Sequence, residues 1–175
     1  MRPKPTPAFA ALIRLLLASL VVLTLEVPGS ALAQNAGQIA RVKAGANCPS
    51  CNLFQADLGK LVLTGRNYAG ARLRQADLSL GTFTSTRFSH VDLRNANLFG
   101  VLAGHADFSG ADLQNASLVG GYFQHANFRN AHLAGTNFGG ADLRGASRLS
   151  QAQLATACGD ESTRLPPGLH LSPCA

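Results

Sequence analysis

The sequence predicts an all-β fold: a four-sided (quadrilateral) β-helix solenoid closed by a short C-terminal capping helix. Three observations carry this. A five-residue phase runs without a slip through residues 51–145, nineteen blocks in succession. The apolar centres of the blocks sort by type when every fourth block is aligned. A helix-start signature follows where the phase ends.

The phase is plain in "ADFSGADLQNASLVG", residues 106–120, which divides into ADFSG, ADLQN and ASLVG. Eighteen of the nineteen central residues are Leu or aromatic, Ala103 being the exception, and ten of the residues two places earlier are Ala. In extended chain, residues two apart share a side. The first and third residues of a block therefore face inward, the second faces outward, and the last two turn the chain. The fifth position is often Gly or Asn, as at Gly100, Gly110, Asn115 and Asn130, residues that tolerate unusual backbone angles.

The number of sides follows from stacking, since each coil of a solenoid packs only on its neighbours. At a spacing of twenty, Leu53, Leu73, Leu93, Leu113 and Leu133 form one column, and Tyr68, Phe88, Phe108 and Phe128 another. A spacing of fifteen mixes Leu with aromatics. A third column runs Leu63, Phe83, Ala103, Phe123, Leu143, with partners Leu61, Gly81, Val101, Gly121 and Ala141. Gly accompanies Phe and Val accompanies Ala, so volume is held level by level, as close packing requires. With coils ~4.8 Å apart, the repeat region spans roughly 23 Å.

The blocks "ADLSL", "ANLFG", "ADFSG", "ADLQN", "ANFRN" and "ADLRG" resemble the A(D/N)LXX repeats of the pentapeptide repeat family. That resemblance implies a right-handed β-helix. It also covers the ending "ACGD…LPPGL…PC", which is similar to the tail of exported members.

An open solenoid end exposes unpaired backbone and needs a cap. Residues 34–50 are the candidate N-terminal cap and 146–175 the C-terminal one. In the latter, Ser150 with Gln153 three places on forms a capping box, and Leu149 with Leu154 a hydrophobic staple. A helix over about 151–158, stopped by Gly159, and an extended tail are expected. Cys48 and Cys51 flank the first coil; Cys158 and Cys174 lie beyond the last. The rod separates the pairs by far more than the ~7 Å a disulfide spans. The reading is therefore Cys48–Cys51 and Cys158–Cys174, against a four-cysteine zinc site or a C-x-x-C redox centre. The second bridge should contribute on the order of 3 kcal/mol.

The chain opens with Arg2, Lys4 and Arg14, an apolar run over residues 15–25, and "ALA" at 31–33. That is the pattern of a secretory signal peptide, residues 1–33. The run is short of the ~20 residues of a spanning helix, so no transmembrane segment is expected after cleavage. The mature chain would be exported, periplasmic or secreted. Loss of Arg2, Lys4, Arg14 and Glu26 takes the net charge from +6 to +4. No run of Lys or Arg suggests a nucleic-acid groove, and no nucleic-acid partner is expected.

No nucleophile motif or phosphate loop is present, so neither catalysis nor a cofactor is expected. His105 and His125, twenty apart, should stack on one corner as exposed turn residues rather than start a metal site. Asp57, Asp77, Asp92, Asp107, Asp112 and Asp142 hold the outward motif position and are not acid/base pairs. Arg72, Arg74 and Arg94 cluster around Asp92 as a solvated face. The departures that matter are Leu80, Phe99, Leu102, Val119 and Tyr122, apolar residues at outward positions on neighbouring coils. They suggest a partner or self-association, unless residues 34–50 cover them or they sit singly. The functional expectation is a non-catalytic exported structural or interaction module with an unknown protein partner. The alternative is a DNA-mimicking, topoisomerase-protecting protein. That role, known within the family, needs a strongly acidic rod, whereas residues 51–145 hold eight Lys and Arg against six Asp.

Overall fold

The computed structural model describes residues 34–174; the expected signal peptide lies outside them. The five-residue phase closes into coils of four sides. Single-residue parallel bridges join second positions twenty apart, as in Asp92↔Asp112 and Leu102↔Tyr122. Between coils the third-position amide donates downward (Leu93 N to Asp112 O, 2.8 Å) and the second-position amide upward (Asp112 N to Val91 O, 2.9 Å). We number the faces by their centres: Leu53 begins face 1, Leu58 face 2, Leu63 face 3 and Tyr68 face 4.

Every fifth position from Ser50 to Gly145 has a positive φ, between 53° and 69°. The corner is left-handed whatever residue stands there, Gly or not; Leu80 adopts it at φ 57°, an uncommon conformation for a bulky side chain.

The outward Asp and Asn residues have a structural task. The fourth-position amide has no cross-coil partner, and the second-position side chain accepts from it. Asp77 Oδ1 takes Ser79 N at 2.9 Å, and Asn137 Oδ1 takes Gly139 N at 2.8 Å. Asn rungs also donate to Asp rungs above them, Asn97 to Asp77 at 3.1 Å and Asn127 to Asp107 at 2.8 Å.

The inward columns form one continuous core. Phe88 stacks on Phe108 at 5.2 Å and Phe108 on Phe128 at 5.3 Å between centroids. Tyr68 tops this column, 5.7 Å from Phe88, and burial pushes its phenol up to about 12. Ala103 and Val101 are both fully buried. A Cβ on Gly81 would lie 2.5 Å from Phe83 Cε2, so the Gly–Phe pairing is steric. The inward rule fails at Arg66, which is exposed; beside it lies the turn at Gly45, whose Cβ would be 3.7 Å from Arg66 Nη2, rather than a repeat block.

The N-terminal segment contains a helix absent from the sequence expectation, α1 (Ala36–Lys43), capped by Asn35. It crosses the end of the first coil. Val42 is fully buried there, and Gln38 Oε1 accepts from Asn52 N.

At the C-terminal end the ladder continues past the phase, through Ser147 under Asn127. The helix α2 is one turn, Gln151–Leu154, rather than the expected 151–158. The reason is register: Cys158 pairs with Asn137 and Arg164 with Asp142, so the chain must be extended again by 158. Gly159 accordingly lies in a strand and is no helix stop. Leu154, 1% exposed, adds a layer below Leu133. Strand β1 (Cys158–Gly159) pairs in parallel with β2 (Ser172–Pro173). Pro173 offers no amide on that last edge, which discourages further pairing.

Both halves of the capping box form, and Gln153 Nε2 also donates to Phe128 O (2.8 Å) and Ala131 O (3.0 Å). Gln153→Ala should therefore cost about 2 kcal/mol, more than a cap alone. Urea denaturation of the two chains measures it.

Candidate functional site

Four of the five apolar outward residues are exposed: Leu80 (52%), Leu102 (49%), Phe99 (48%) and Tyr122 (40%). Val119 is a correction: it is half-buried, one coil below Phe99. Val62, absent from the residues expected in the patch, is 73% exposed. Its signal was present, since it heads the outward column Val62, Thr82, Leu102, Tyr122 of face 3. The segment 34–50 does not cover this edge; it crosses the end of the first coil instead.

The corner is shaped by small residues. Leu80 lies over Gly100, where a Cβ would be 2.7 Å from Leu80 Cδ2. The Tyr122 ring passes over Gly104, whose Cβ would sit 3.2 Å from Cε1. Tyr122 donates its hydroxyl proton to Gln124 Oε1 (2.6 Å), and Gln124 donates to Asp142 Oδ2 (2.8 Å). Arg144 closes the chain on Asp142 at 2.8 Å. The Arg144 guanidinium holds the Asp142 carboxyl well below the usual carboxylate range; Gln124 adds to this, and burial opposes it. The aromatic ring is thus fixed rather than free to rotate away.

Face 3 also gives up a structural feature. From the first to the fourth coil its second positions, Val62, Thr82, Leu102 and Tyr122, include no Asp or Asn. Elsewhere such departures are single, as at Arg72, Arg87, Ser117 and His132. Among the described residues the amides of Thr64, Thr84, Gly104 and Gln124 consequently lack the second-position side-chain acceptor seen on the other faces, as at Ser79, Ser109 and Gln114.

The remaining candidates have bland settings. His105 and His125 stack on an exposed corner with centroids 5.0 Å apart. Among the described residues no group of three or more His, Cys, Asp or Glu could hold a metal ion. On face 1, Arg94 bridges Asp92 (2.7 Å) and Asp112 (3.4 Å). Hydrogen bonding from Arg94 lowers the Asp92 pKa. Arg74 Nε is buried without a hydrogen-bond partner among the described residues. The cysteines pair as Cys48–Cys51 and Cys158–Cys174, with Cα separations of 5.5 and 4.8 Å. No helix among the described residues is long and apolar enough to cross a membrane.

Comparison with known proteins bears on the fold. A family model described as pentapeptide repeats matches eight copies over residues 63–100, 106–145 and 122–157. The chain belongs to the pentapeptide repeat family. Pentapeptide repeat proteins form right-handed quadrilateral β-helices, which supplies the handedness of the coil described above. A pentapeptide repeat protein from the Arabidopsis thaliana thylakoid lumen is 24% identical, over 73% of this chain and 86% of that one, with a TM-score of 0.56. A second, from the cyanobacterium Cyanothece 51142, is 24% identical over 74% and 97%, with a TM-score of 0.45. The plasmid-mediated fluoroquinolone resistance protein QnrB1 is 17% identical over 73% of each chain, with a TM-score of 0.33. A search of the curated proteins finds no match. Proteins of the family are generally non-catalytic structural or interaction modules.

Proposed function

We propose that this pentapeptide repeat protein is an exported, non-catalytic interaction module, periplasmic or secreted, that binds a protein partner or a second copy through the corner of faces 2 and 3. The observation that carries the reading is the run of apolar second positions on face 3. Four successive coils forgo the Asp or Asn that serves the backbone elsewhere, and local rules are broken most readily where function requires it. Val62, Leu80, Phe99, Leu102 and Tyr122 are together exposed there. Depletion of charge with enrichment of aromatic residues is the composition of an interface core. Both ends of the coil are held by disulfides, which suits an oxidising compartment and the signal-peptide pattern. A DNA-mimicking role is not favoured, because eight Lys and Arg outnumber six Asp over residues 51–145.

Light scattering and a pull-down from the exported compartment test this, comparing the natural chain with Phe99→Asp/Tyr122→Asp. The natural chain should self-associate or retain a partner, with affinity at least about tenfold above that of the variant. A natural chain that stays monomeric and retains nothing the variant loses would overturn the reading.

A further inference from the structure

The column of fourth positions that carries Phe99 and Val119 continues through Gly139 into the C-terminal cap. There it opens into a cleft of about 500 Å³ lined by Val119, Gly139, Leu171 and Pro173 on the apolar side and by Asp160 and Glu161 on the polar side. Volumes of this order are typical of ligand clefts. Among the described residues two carboxylates and no basic side chain line it, although the chain as a whole is basic.

Asp160 is held in an unusual way. Its Oδ1 accepts from Gly140 N (2.9 Å), Ser162 N (2.9 Å), Ser162 Oγ (2.6 Å) and Thr163 Oγ1 (3.1 Å). Its Oδ2 takes no hydrogen bond among the described residues and sits against Gly139, where a Cβ would be 3.0 Å away. A side chain at 139 would close the cleft onto the carboxylate. The hydrogen bond from Ser162, then that from Gly140, hold the Asp160 carboxyl down to about 2. One oxygen is therefore anchored, and the other is an ionised, fixed acceptor beside an apolar wall.

We infer that this groove docks an extended polypeptide segment of a partner, with an apolar side chain on Phe99 and Val119 and a Lys or Arg at Asp160 and Glu161. The inference rests on the apolar edge being an interface, and it names the chemistry of the partner. Charge complementarity selects the cation: a bare apolar segment would leave two carboxylates desolvated, and an acidic one would be repelled. The spacing selects the segment. Three coil steps separate Phe99 from Asp160, about 14 Å, which an extended chain covers in about four residues.

The probe is the synthetic peptide acetyl-Leu-Phe-Ser-Gly-Ser-Lys-amide, titrated into the disulfide-intact chain and followed by the amide resonances of Gly139, Gly140 and Gly159. The counterpart ending in Glu, and hexylamine, serve as comparisons. The Lys peptide should shift all three resonances saturably and bind at least about fivefold more tightly than the Glu peptide, as expected for one exposed ion pair. Glu161→Gln should weaken it by about the same factor, and Asp160→Asn, which keeps an oxygen for the four donors, should do likewise. Equal binding of the Lys and Glu peptides, or no shift at the three glycines, overturns the inference. Hexylamine matching the peptide would assign the cleft to small organic cations, and dimerisation abolished by Glu161→Gln would assign it to a second copy; either also overturns it. Loss of partner capture in Phe99→Asp/Tyr122→Asp reports on the interface separately, so the two readings can fail independently.

Discussion

Gly121→Val should destabilise the coil by about 3 kcal/mol, and Phe123→Ala placed in the same chain should return a measurable part of that loss. Gly121 is fully enclosed on face 3. A Cβ there would collide with Phe123 Cε2, lie 2.9 Å from Phe123 Cζ and 3.1 Å from Leu118 O. Neither obstacle yields. Phe123 is buried and meets Phe108 and Phe128 edge-on, each with centroids 6.0 Å apart. Leu118 O is already committed to the turn amide of Gly121 at 3.1 Å. The coil above shows what relieves the conflict, since Val101 and Ala103 occupy the same two positions with no exposure. Substituting both residues copies that solution one level down. The rescue is incomplete, because the edge contacts of Phe123 are lost. Urea denaturation of the natural chain, both single variants and the double variant closes the cycle. A double variant less stable than Gly121→Val alone would show that the Gly–Phe pairing is not a volume exchange.

The same alternation shows why so much of this fold was legible. In a solenoid each residue's neighbours stand at a fixed sequence offset, so columns such as Leu53 to Leu133 can be checked by counting. What escaped was what leaves the phase. Helix α1 has an N-cap, Asn35, and a basic last turn, Arg41 and Lys43, but it packs on the first coil through Val42 and Gln38, and no repeat offset links those residues to it. The length of α2 was overestimated because its helical signals are local, whereas its end is fixed by the pairing of Cys158 with Asn137. On the surface, repeat position alone predicts an exposed Val119, whereas its own coil and the cap beside it half-bury it. Val62 was missed for the opposite reason. It stands at the end of its column, where no coil above it draws attention to the outward series that it begins.

Phe108→Ala is among the core truncations expected to cost most, about 3–5 kcal/mol; Phe88 and Phe128 also meet three rings each. Phe108 has no exposed surface and is packed on three sides by rings: Phe88 at 5.2 Å, Phe128 at 5.3 Å and Phe123 edge-on at 6.0 Å. Among the described residues Tyr68, at the top of the same column, has only Phe88 as a ring partner, and Phe138 has only Phe128, at 6.4 Å. Collapse around the missing ring is opposed by the backbone ladder, since Phe108 N is bonded to Asn127 O at 2.8 Å and Asp107 N to Thr86 O at 3.0 Å. The coils cannot approach one another to fill the space, so a cavity remains. Phe108→Leu, which leaves most of the volume occupied, should cost about 1–2 kcal/mol. Because stability in a solenoid passes from each coil to the next, the larger loss should also divide the rod. Amide exchange in Phe108→Ala should quicken at Phe88, Phe108 and Phe128 while the two disulfide-bonded ends keep their protection. A loss no greater than that of Phe138→Ala, or a uniform rise in exchange along the whole ladder, would show that the aromatic column is not what couples the two halves.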